Sequence, residues 1–317
     1  MSGNDRSDTK QFRPMRIQAR PGSLAERYYY SAASPSGEAV MPKAIAPGLA
    51  PSPEDDLVFH GGKVVPQMEF QNVYLGGTAS WKTQDIANID AAIQRAMQDV
   101  KLNNVMRQYF NGTSLACDMR PSFIVEEIKP LQLDEPAVQN KVIQLFDAGM
   151  ISKADLSTCI FNLLLPPGTV LRLDASSSLQ GLGGYHGSVH VERGGQRVTL
   201  YYSANVFSEI RPGMSENGIV AFNKPWKNVV GTLYHELNEF RTDADVNDFF
   251  VDNQTQLLGW TSSAGMEVGD QPIAAAGSNL HLVFREVTDA ASKKRVPVQF
   301  LYSNHAHGAE GPINASA

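Results

Sequence analysis

The sequence predicts an α/β (α+β) fold in which helices pack on a mixed β-sheet. Strand-like and helix-like segments alternate between residues 68 and 165, which is typical of layered domains that contain both elements. Residues 159–165 are almost all apolar, and such a run indicates a strand covered on both faces. Residues 223–243 carry an apolar stripe with helical spacing, so a well-defined amphipathic helix is also expected.

The N-terminal half of the domain supplies most of the predicted elements. In order they are a strand, two helices, a strand, a helix and a strand, at residues 68–75, 83–100, 103–110, 122–128, 134–148 and 159–165. Pro136 suits the first turn of its helix, because proline has no N–H group to lose there. Glycine or proline clusters follow residues 75 and 165 and end both strands.

The C-terminal half adds a hairpin and a closing pair of strands. Residues 189–192 and 197–202 alternate around Gly194-Gly195, the pattern of a β-hairpin. His186 is predicted to lie in a glycine-rich loop just before this hairpin. Residues 280–287 and 296–302 alternate in the same way and are predicted to pair.

The chain divides into a tail and one domain. Residues 1–56 are rich in Pro, Ser, Gly and Ala without periodicity, and such a segment is expected to be disordered. Residues 57–317 are sufficient for a single domain with its own core. The N-terminus lacks the apolar run of a signal peptide, and no apolar stretch of about 20 residues predicts a membrane span. A cytoplasmic location and export by a non-classical route both stay open.

Composition excludes some classes of function. The net charge is −6, with 27 basic and 33 acidic residues, which argues against a surface for nucleic acid. The usual glycine-rich nucleotide motifs are absent. Cys117 and Cys159 are predicted to be buried thiols, although one disulfide is possible. The oligomeric state is not indicated.

One stretch carries the candidate chemistry. Residues 223–243 predict a helix in which His235 and Glu239, four positions apart, project from the same side. Glu236 follows His235 and is rotated by about 100° around the helix axis. An imidazole, a carboxylate one turn later and a second carboxylate beside them are the parts of a metal site with its own general base.

The segment H-E-L-N-E is close to the zinc-binding pattern H-E-x-x-H. Glu239 takes the place of the second histidine, and zinc accepts carboxylate oxygen at about 2.0–2.2 Å. Two carboxylates and one neutral imidazole would cancel the charge of a divalent cation. Such a site would polarise water less than a His/His/Glu site. The alternative is an exposed helix face whose polar residues serve solubility.

A downstream segment offers a third ligand. Glu267 lies 28 residues after Glu239, so a returning loop could bring it to the same ion. Asp270 could accept a hydrogen bond from the far nitrogen of His235 and fix its tautomer. Asp243 could replace Glu267, but helix drift of about 40° per four residues favours a supporting position behind the ligands.

Residues 235–243, HELNEFRTD, resemble the thermolysin-type pattern with its second histidine replaced. The likeness is closer to bacterial relatives of the plant exordium (phosphate-induced protein) family, which carry H-E-L-x-E-x-x-T-D, then G-W, then E-I-G-D. The matching positions are His235, Glu236, Leu237, Glu239, Thr242, Asp243, Gly259, Trp260, Glu267, Gly269 and Asp270.

Weaker likeness to the exordium-like family extends over residues 57–304. LVFHGGKVV, FQNVYLGG, GGYHGSV and VQFLYSN resemble strands and a loop of those domains. The chain departs from the family where cysteines stand beside the Y-H-G loop and after E-I-G-D, because it has glycine and Gln271 there. Plant members also lack the metal-binding helix motif.

The resemblance implies a zincin-like core and a zinc-dependent hydrolase, with a metallopeptidase as the leading interpretation. One zinc per chain, or another divalent cation, would be held by His235, Glu239 and Glu267. Glu236 would activate water at the open fourth position. His186 would stabilise an oxyanion or join the metal, unless it is simply satisfied in a turn. A peptide or protein substrate would align along the hairpin as an added strand.

Two other classes of function stay open. One is a non-catalytic exordium-like binding or interaction protein with a vestigial metal site. The other is a structural calcium or zinc ion that joins the helix to the Glu267 loop. Cleavage of peptides would separate the first interpretation from both alternatives, and a lower melting temperature on metal removal, without any change in activity, would identify the structural ion.

Overall fold

The computed structural model describes residues 16–18, 45–111, 113–151, 155–210, 216–245, 250–251, 254–255, 258–289 and 291–311. Within these residues the chain is a mixed α/β structure with several sheets and four α-helices. This confirms the predicted α+β class with a mixed sheet and packed helices. Most of the predicted tail lies outside the described residues.

A six-stranded sheet forms the centre of the molecule. Its strands in chain order are β1 (Arg16–Gln18), β2 (Gln67–Tyr74), β3 (Ala116–Ile124), β4 (Cys159–Leu164), β5 (Leu182–Arg193) and β6 (Gln196–Asn205). In space they follow the order β1-β5-β6-β4-β2-β3. Strands β2, β3, β4 and β6 run parallel, whereas β5 is antiparallel to both of its neighbours.

Strand β3 differs from its predicted position at residues 122–128, because it begins at Ala116 and ends at Ile124. It is the edge strand of the sheet, and it contains Pro121. Proline is tolerated on edge strands, where a missing N–H costs no ladder bond. An edge strand with one solvated side carries no continuous apolar pattern, so its start is not visible in the sequence.

Helices cover both faces of the sheet. They are α1 (Thr83–Gln98), α2 (Glu135–Asp147), α3 (Pro225–Thr242) and α4 (Asp270–Ala276). Residues of α1 and α3 share one apolar cluster with Phe70 and Ile160, whereas residues of α2 pack in another with Phe161 and Tyr202. Every residue of β4 is therefore buried, as its apolar run predicts.

Shorter elements complete the fold. A hairpin of β7 (Phe284–Thr288) and β8 (Arg295–Gln299) packs against α3. The 3-10 helices are Pro53–Asp55, Thr78–Ser80, Asn104–Phe110, Ser178–Gln180 and Leu280–Leu282. The remaining short strands are Val58–Phe59, Gln132–Leu133, Val170–Leu173, Ser176–Ser177, Glu209–Ile210, Glu216–Asn217, Phe250–Val251, Gln254–Thr255, Trp260–Thr261, Leu301–Ser303 and Gly308–Glu310. The predicted strand at residues 280–287 thus opens as a 3-10 helix.

The hairpin predicted around Gly194-Gly195 is present, but its first strand is longer than predicted. Strand β5 begins at Leu182, so His186 lies in the sheet and not in a loop. Gly184, just before Tyr185, permits a close approach of α3 to this strand. A Cβ at Gly184 would lie 2.7 Å from the Ala204 carbonyl oxygen and 3.0 Å from Cγ2 of Thr232 in α3.

A buried polar row crosses the sheet toward His186. Asn162 donates a hydrogen bond of 2.9 Å to Asn72, and Ser203 donates one of 2.8 Å to Asn162. In the strand register, Asn162 pairs with Ser203 and Ser203 pairs with His186. Polar side chains thus follow one another across the sheet from β2 to β5, the strand that borders α3.

The ordered domain begins ahead of residue 57. Ala46 is buried and donates its N–H to the Ala309 carbonyl at 2.8 Å.

Cys117 and Cys159 are both free and buried, which confirms the expectation of two buried thiols. Among the residues that the structure describes, no helix combines the length and apolar composition that crossing a bilayer needs.

Candidate metal centre

Helix α3 is buried on all sides. Pro225 occupies its first turn, and the predicted apolar stripe packs into the core through Val229, Val230, Leu233, Leu237 and Phe240. The polar side is buried as well, since every residue from position 228 to 242 is buried. The alternative of a solvent-facing polar side is therefore wrong: His235, Glu236 and Glu239 each have 0 % exposure.

The predicted site residues all meet beside this helix. His186 comes from β5, Asp243 directly follows α3, Glu267 lies in the returning loop, and Asp270 is the first residue of α4. With the three residues of α3 they form one cluster, in which no member is more than 4 % exposed. Ligand atoms lie within 4.8 Å of one another in three groups: His186, Glu236 and Glu239; His186, Asp243 and Glu267; His235, Glu239 and Asp270.

His235 directs one nitrogen at carboxylates and the other at an amide. Its Nε2 lies 2.9 Å from Oε1 of Glu239 and 3.8 Å from Oδ1 of Asp270. Its Nδ1 lies 2.7 Å from Oε1 of Gln299, whose own Nε2 donates to the Gly269 carbonyl at 2.5 Å. Gln299 therefore occupies the position that the sequence suggested for Asp270, and Asp270 occupies the one suggested for Glu267.

His186 is surrounded by four carboxylates. Its Nδ1 lies 3.2 Å from Oε2 of Glu236 and 3.7 Å from Oε2 of Glu239. Its Nε2 lies 3.3 Å from Oδ1 of Asp243 and 3.6 Å from Oε1 of Glu267. Glu267 is thus grouped with His186 and not with His235. Because both ring nitrogens face carboxylates, neither points to a substrate oxyanion.

Glu239 lies between the two histidines. Its Oε1 approaches His235 and accepts the Gly269 N–H at 3.1 Å, whereas its Oε2 approaches His186. Position 269 requires glycine, because a Cβ there would lie 2.4 Å from Nδ1 of His235. The backbone of the loop is thereby pressed against the imidazole.

The electrostatics of the cluster are unfavourable without a cation. Burial raises the pKa of Glu239, Glu267 and Asp270 well above the ordinary values, and neighbouring carboxylates raise each further. Burial lowers the pKa of His235. Burial would also lower the pKa of His186, but the carboxylates of Asp243 and Glu236, one beside each ring nitrogen, outweigh it, so that pKa is raised. Protons or cations must offset the charge of so many buried carboxylates.

The unpaired atoms of the cluster fit a cation. Buried polar atoms in proteins normally have a hydrogen-bond partner, and each exception needs an explanation. Here the side-chain atoms that make no hydrogen bond of normal geometry are Nε2 of His186, Nε2 of His235, Oε1 of Glu236, Oε2 of Glu239, both oxygens of Asp243, both oxygens of Glu267 and Oδ2 of Asp270. Imidazole nitrogen and carboxylate oxygen are zinc ligands.

Two contributors to the site were missed by sequence reasoning. Gln299 lies 64 residues from His235 in the chain. It belongs to the segment VQFLYSN, which predicts a closing strand but no contact with the histidine. Gly269 belongs to the G-D of the motif, so its need for a close approach could have been suspected from the glycine alone.

No protein-family model matches the chain, and none of the curated proteins that were searched matches it in sequence. The exordium-like and thermolysin-like resemblances therefore remain predictions.

Proposed function

We propose that this chain is a divalent-metal-dependent hydrolase with a zincin-like core, and that its substrates are peptides or proteins. The observation that carries the proposal is the set of His235, Glu239 and Asp270, whose ligand atoms converge on one another while Nε2 of the imidazole makes no hydrogen bond of normal geometry. Glu236 adjoins this set on the same helix. A helix that carries the motif and packs against the antiparallel strand of a mixed sheet supports the zincin-like assignment.

Asp270 is the third protein ligand in this proposal, in place of Glu267. It lies nearer to the His235 nitrogen that faces Glu239, whereas Glu267 faces His186. A divalent cation such as zinc supplies a Lewis acid that polarises a carbonyl and lowers the pKa of water. Gln299 sets the orientation of His235 by accepting a hydrogen bond from its Nδ1–H group.

Glu236 is the general base. Its Oε2 contacts Nδ1 of His186 at 3.2 Å, which fixes the carboxylate, whereas its Oε1 has no partner. Oε1 takes a proton from the attacking water and returns it to the leaving amine. Space beside this oxygen is kept by Gly184, where a Cβ would lie 3.2 Å from Oε1.

Strand β5 favours an extended peptide as substrate. The chain's own β1 pairs antiparallel with β5, with Arg16 opposite Tyr185 and Gln18 opposite Leu182, and it also approaches α4. A peptide added at this edge would run past His186 and Asp270, as in recognition by strand addition. The same edge is covered by β1, so a substrate must take the place of that segment.

The variant Glu236→Gln tests the proposal. It preserves the shape of the side chain but removes the base, so metal content should stay unchanged while the cleavage rate falls by about 10²–10⁴-fold. Cleavage is measured on a peptide library by mass spectrometry. Glu135→Gln is the control, because Glu135 is also a buried glutamate but belongs to α2. A wild-type chain that carries no metal after zinc is supplied contradicts the proposal.

A structural metal centre is the second candidate. The low exposure of the entire cluster, at most 4 %, favours an ion that joins β5, α3 and the 267–270 segment without exchanging with substrate. In that case metal removal lowers the melting temperature, and no peptide is cleaved even when residues 1–44 have been removed. A non-catalytic binding protein is compatible with the same result.

A further inference from the structure

We infer that the cluster is a two-metal centre, in which His186, Asp243 and Glu267 hold a second divalent cation beside the one at His235. This inference extends the proposed function, since it assumes that His235, Glu239 and Asp270 hold the first cation. Nothing in the motif H-E-L-N-E predicts the second position. It follows from three segments that meet only in the folded chain: β5, the end of α3 and the returning loop.

The contacts of His186 assign its metal-binding nitrogen. Nδ1 is within hydrogen-bond distance of Oε2 of Glu236, at 3.2 Å. Nε2 faces Oδ1 of Asp243 at 3.3 Å and Oε1 of Glu267 at 3.6 Å, without a hydrogen bond of normal geometry. A cation bound at Nε2 takes the place of the proton that the carboxylates otherwise favour there, and the ring still donates from Nδ1.

The carboxylates of this position are unsatisfied. Both oxygens of Asp243 and both oxygens of Glu267 lack a hydrogen-bond partner, and the two side chains are at most 1 % exposed. Burying an ionised carboxylate without a partner is costly, and paired charges or a bound metal are the usual solutions. Two such buried carboxylates, each with one oxygen within 3.6 Å of the same imidazole nitrogen, favour a cation here.

The two positions have the same design. Each has a histidine whose Nε2 faces two carboxylates and whose Nδ1 contacts an oxygen acceptor, Gln299 for His235 and Glu236 for His186. A ligand histidine held through its second nitrogen is the common arrangement in metal sites. Glu239 lies between the two histidines: its Oε1 approaches Nε2 of His235, and its Oε2 approaches Nδ1 of His186, which is not the metal-binding nitrogen of that ring.

The number of carboxylates is compatible with two cations. The cluster contains five carboxylates and two histidines. With every carboxylate ionised and both histidines neutral, as metal ligands are, one divalent cation offsets two of the five negative charges, whereas two cations offset four. A buried site tolerates a residual charge of −1 much better than −3.

The third grouping, His186 with Glu236 and Glu239, does not hold the second cation in this account. It requires Nδ1 of His186 as the ligand, and that atom already contacts Glu236.

The ligand types also indicate which metals the second position suits. A histidine with two carboxylates suits zinc, manganese or iron, whereas calcium sites are built from oxygen ligands.

Metal stoichiometry of the full chain tests the inference. The protein is stripped with a chelator and titrated with Zn²⁺ alone; bound zinc is measured by mass spectrometry after free ion is removed, and binding is followed by calorimetry. We expect two zinc ions in the wild type and in Glu135→Gln. We expect one in Asp243→Asn and in Glu267→Gln, whose side chains keep their shape. Substitution by Co²⁺ should show magnetic coupling between two ions in the wild type and in Glu135→Gln, and none in Asp243→Asn or Glu267→Gln.

The outcomes separate this inference from the proposed function. One zinc per chain in the wild type, retained in Asp243→Asn and lost in Glu239→Gln, overturns the second position and leaves the proposed function intact. Absence of bound zinc overturns both. Loss of one zinc in Glu236→Gln, with none lost in Asp243→Asn, overturns the ligand set. If the variants do not fold, wild-type stoichiometry and Co²⁺ coupling decide.

Discussion

At the scale of single residues, the site depends on groups that do not themselves face the proposed cations. Gln299 fixes the His235 imidazole through a contact of 2.7 Å. It is itself held by the Gly269 carbonyl, so the returning loop and the last strand of the β7–β8 hairpin orient the histidine together. Without this contact the His235 ring could rotate in the metal-free protein. Binding a cation would then have to restrict that rotation, which lowers the affinity for the metal.

The variant Gln299→Leu should therefore bind zinc about 10–100-fold more weakly, the usual loss when a partner behind a ligand is removed. Affinity is measured by competition with a chromophoric chelator. Gln139→Leu is the control, since Gln139 contacts Tyr202 in the opposite layer. Equal zinc affinity in the two variants would show that Gln299 does not orient His235.

At the scale of elements, the sheet brings its polar groups to α3. The row of Asn72, Asn162 and Ser203 is fully buried and hydrogen-bonded, and the strand register continues it to His186. Its hydrogen bonds are complete without a ligand, so the row is a structural support for β5 and not part of the metal centre.

The variant Asn162→Leu should destabilise the fold without changing the metal centre. It leaves polar groups of Asn72 and Ser203 without partners, at about 1–3 kcal/mol for each group. The free energy of unfolding is measured with urea, and zinc content is measured on the same sample. Gln84→Ala removes an exposed hydrogen bond to Asn88 and should cost less than about 0.5 kcal/mol. A loss of zinc in the folded Asn162→Leu variant would show that the row belongs to the site.

Strand β1 gives a second prediction at this scale. Removal of residues 1–44 frees the β5 edge that β1 occupies, and an unpaired edge accepts an extended peptide. We expect the shortened chain to retain its zinc and to cleave the peptide library faster than the full chain. Slower cleavage by a folded, zinc-loaded shortened chain would mean that β1 helps to form the site.

Local chemistry explains what could be predicted from sequence at the element scale. The four-residue spacing of His235 and Glu239 is a property of any helix, so their meeting was predictable. His186 was predicted to lie in a loop because glycines flank it. In the structure those glycines lie within a strand, where they admit α3 at short distance, and a sequence pattern does not distinguish the two uses.

At the scale of the whole molecule, which carboxylate lies beside which histidine depends on contacts between segments that are distant in the chain. Spacing indicated that Glu267 and Asp270 return to α3, but the two residues are only three positions apart in the chain. Which of them faces His235 is decided by the path of the loop and by its packing against β8. Gln299 was unpredictable for the same reason, because its position depends on a strand pairing formed far from the motif.

Metal removal should lower the stability of the entire domain. The carboxylates of the cluster repel one another once a cation is withdrawn, and zinc at about 1,000 times its Kd stabilises the folded state by about 4 kcal/mol. For a domain of this size that corresponds to a decrease of about 10 °C in Tm on chelation. Differential scanning calorimetry with and without chelator measures it. Identical melting curves would show that no cation contributes to folding.

Anomalous diffraction at the zinc edge, from crystals grown with Zn²⁺, tests the central claim most directly. Two peaks are predicted inside the cluster, one beside Nε2 of His235 and one beside Nε2 of His186. A map with no anomalous peak among these side chains would contradict the metal centre and with it the proposed function.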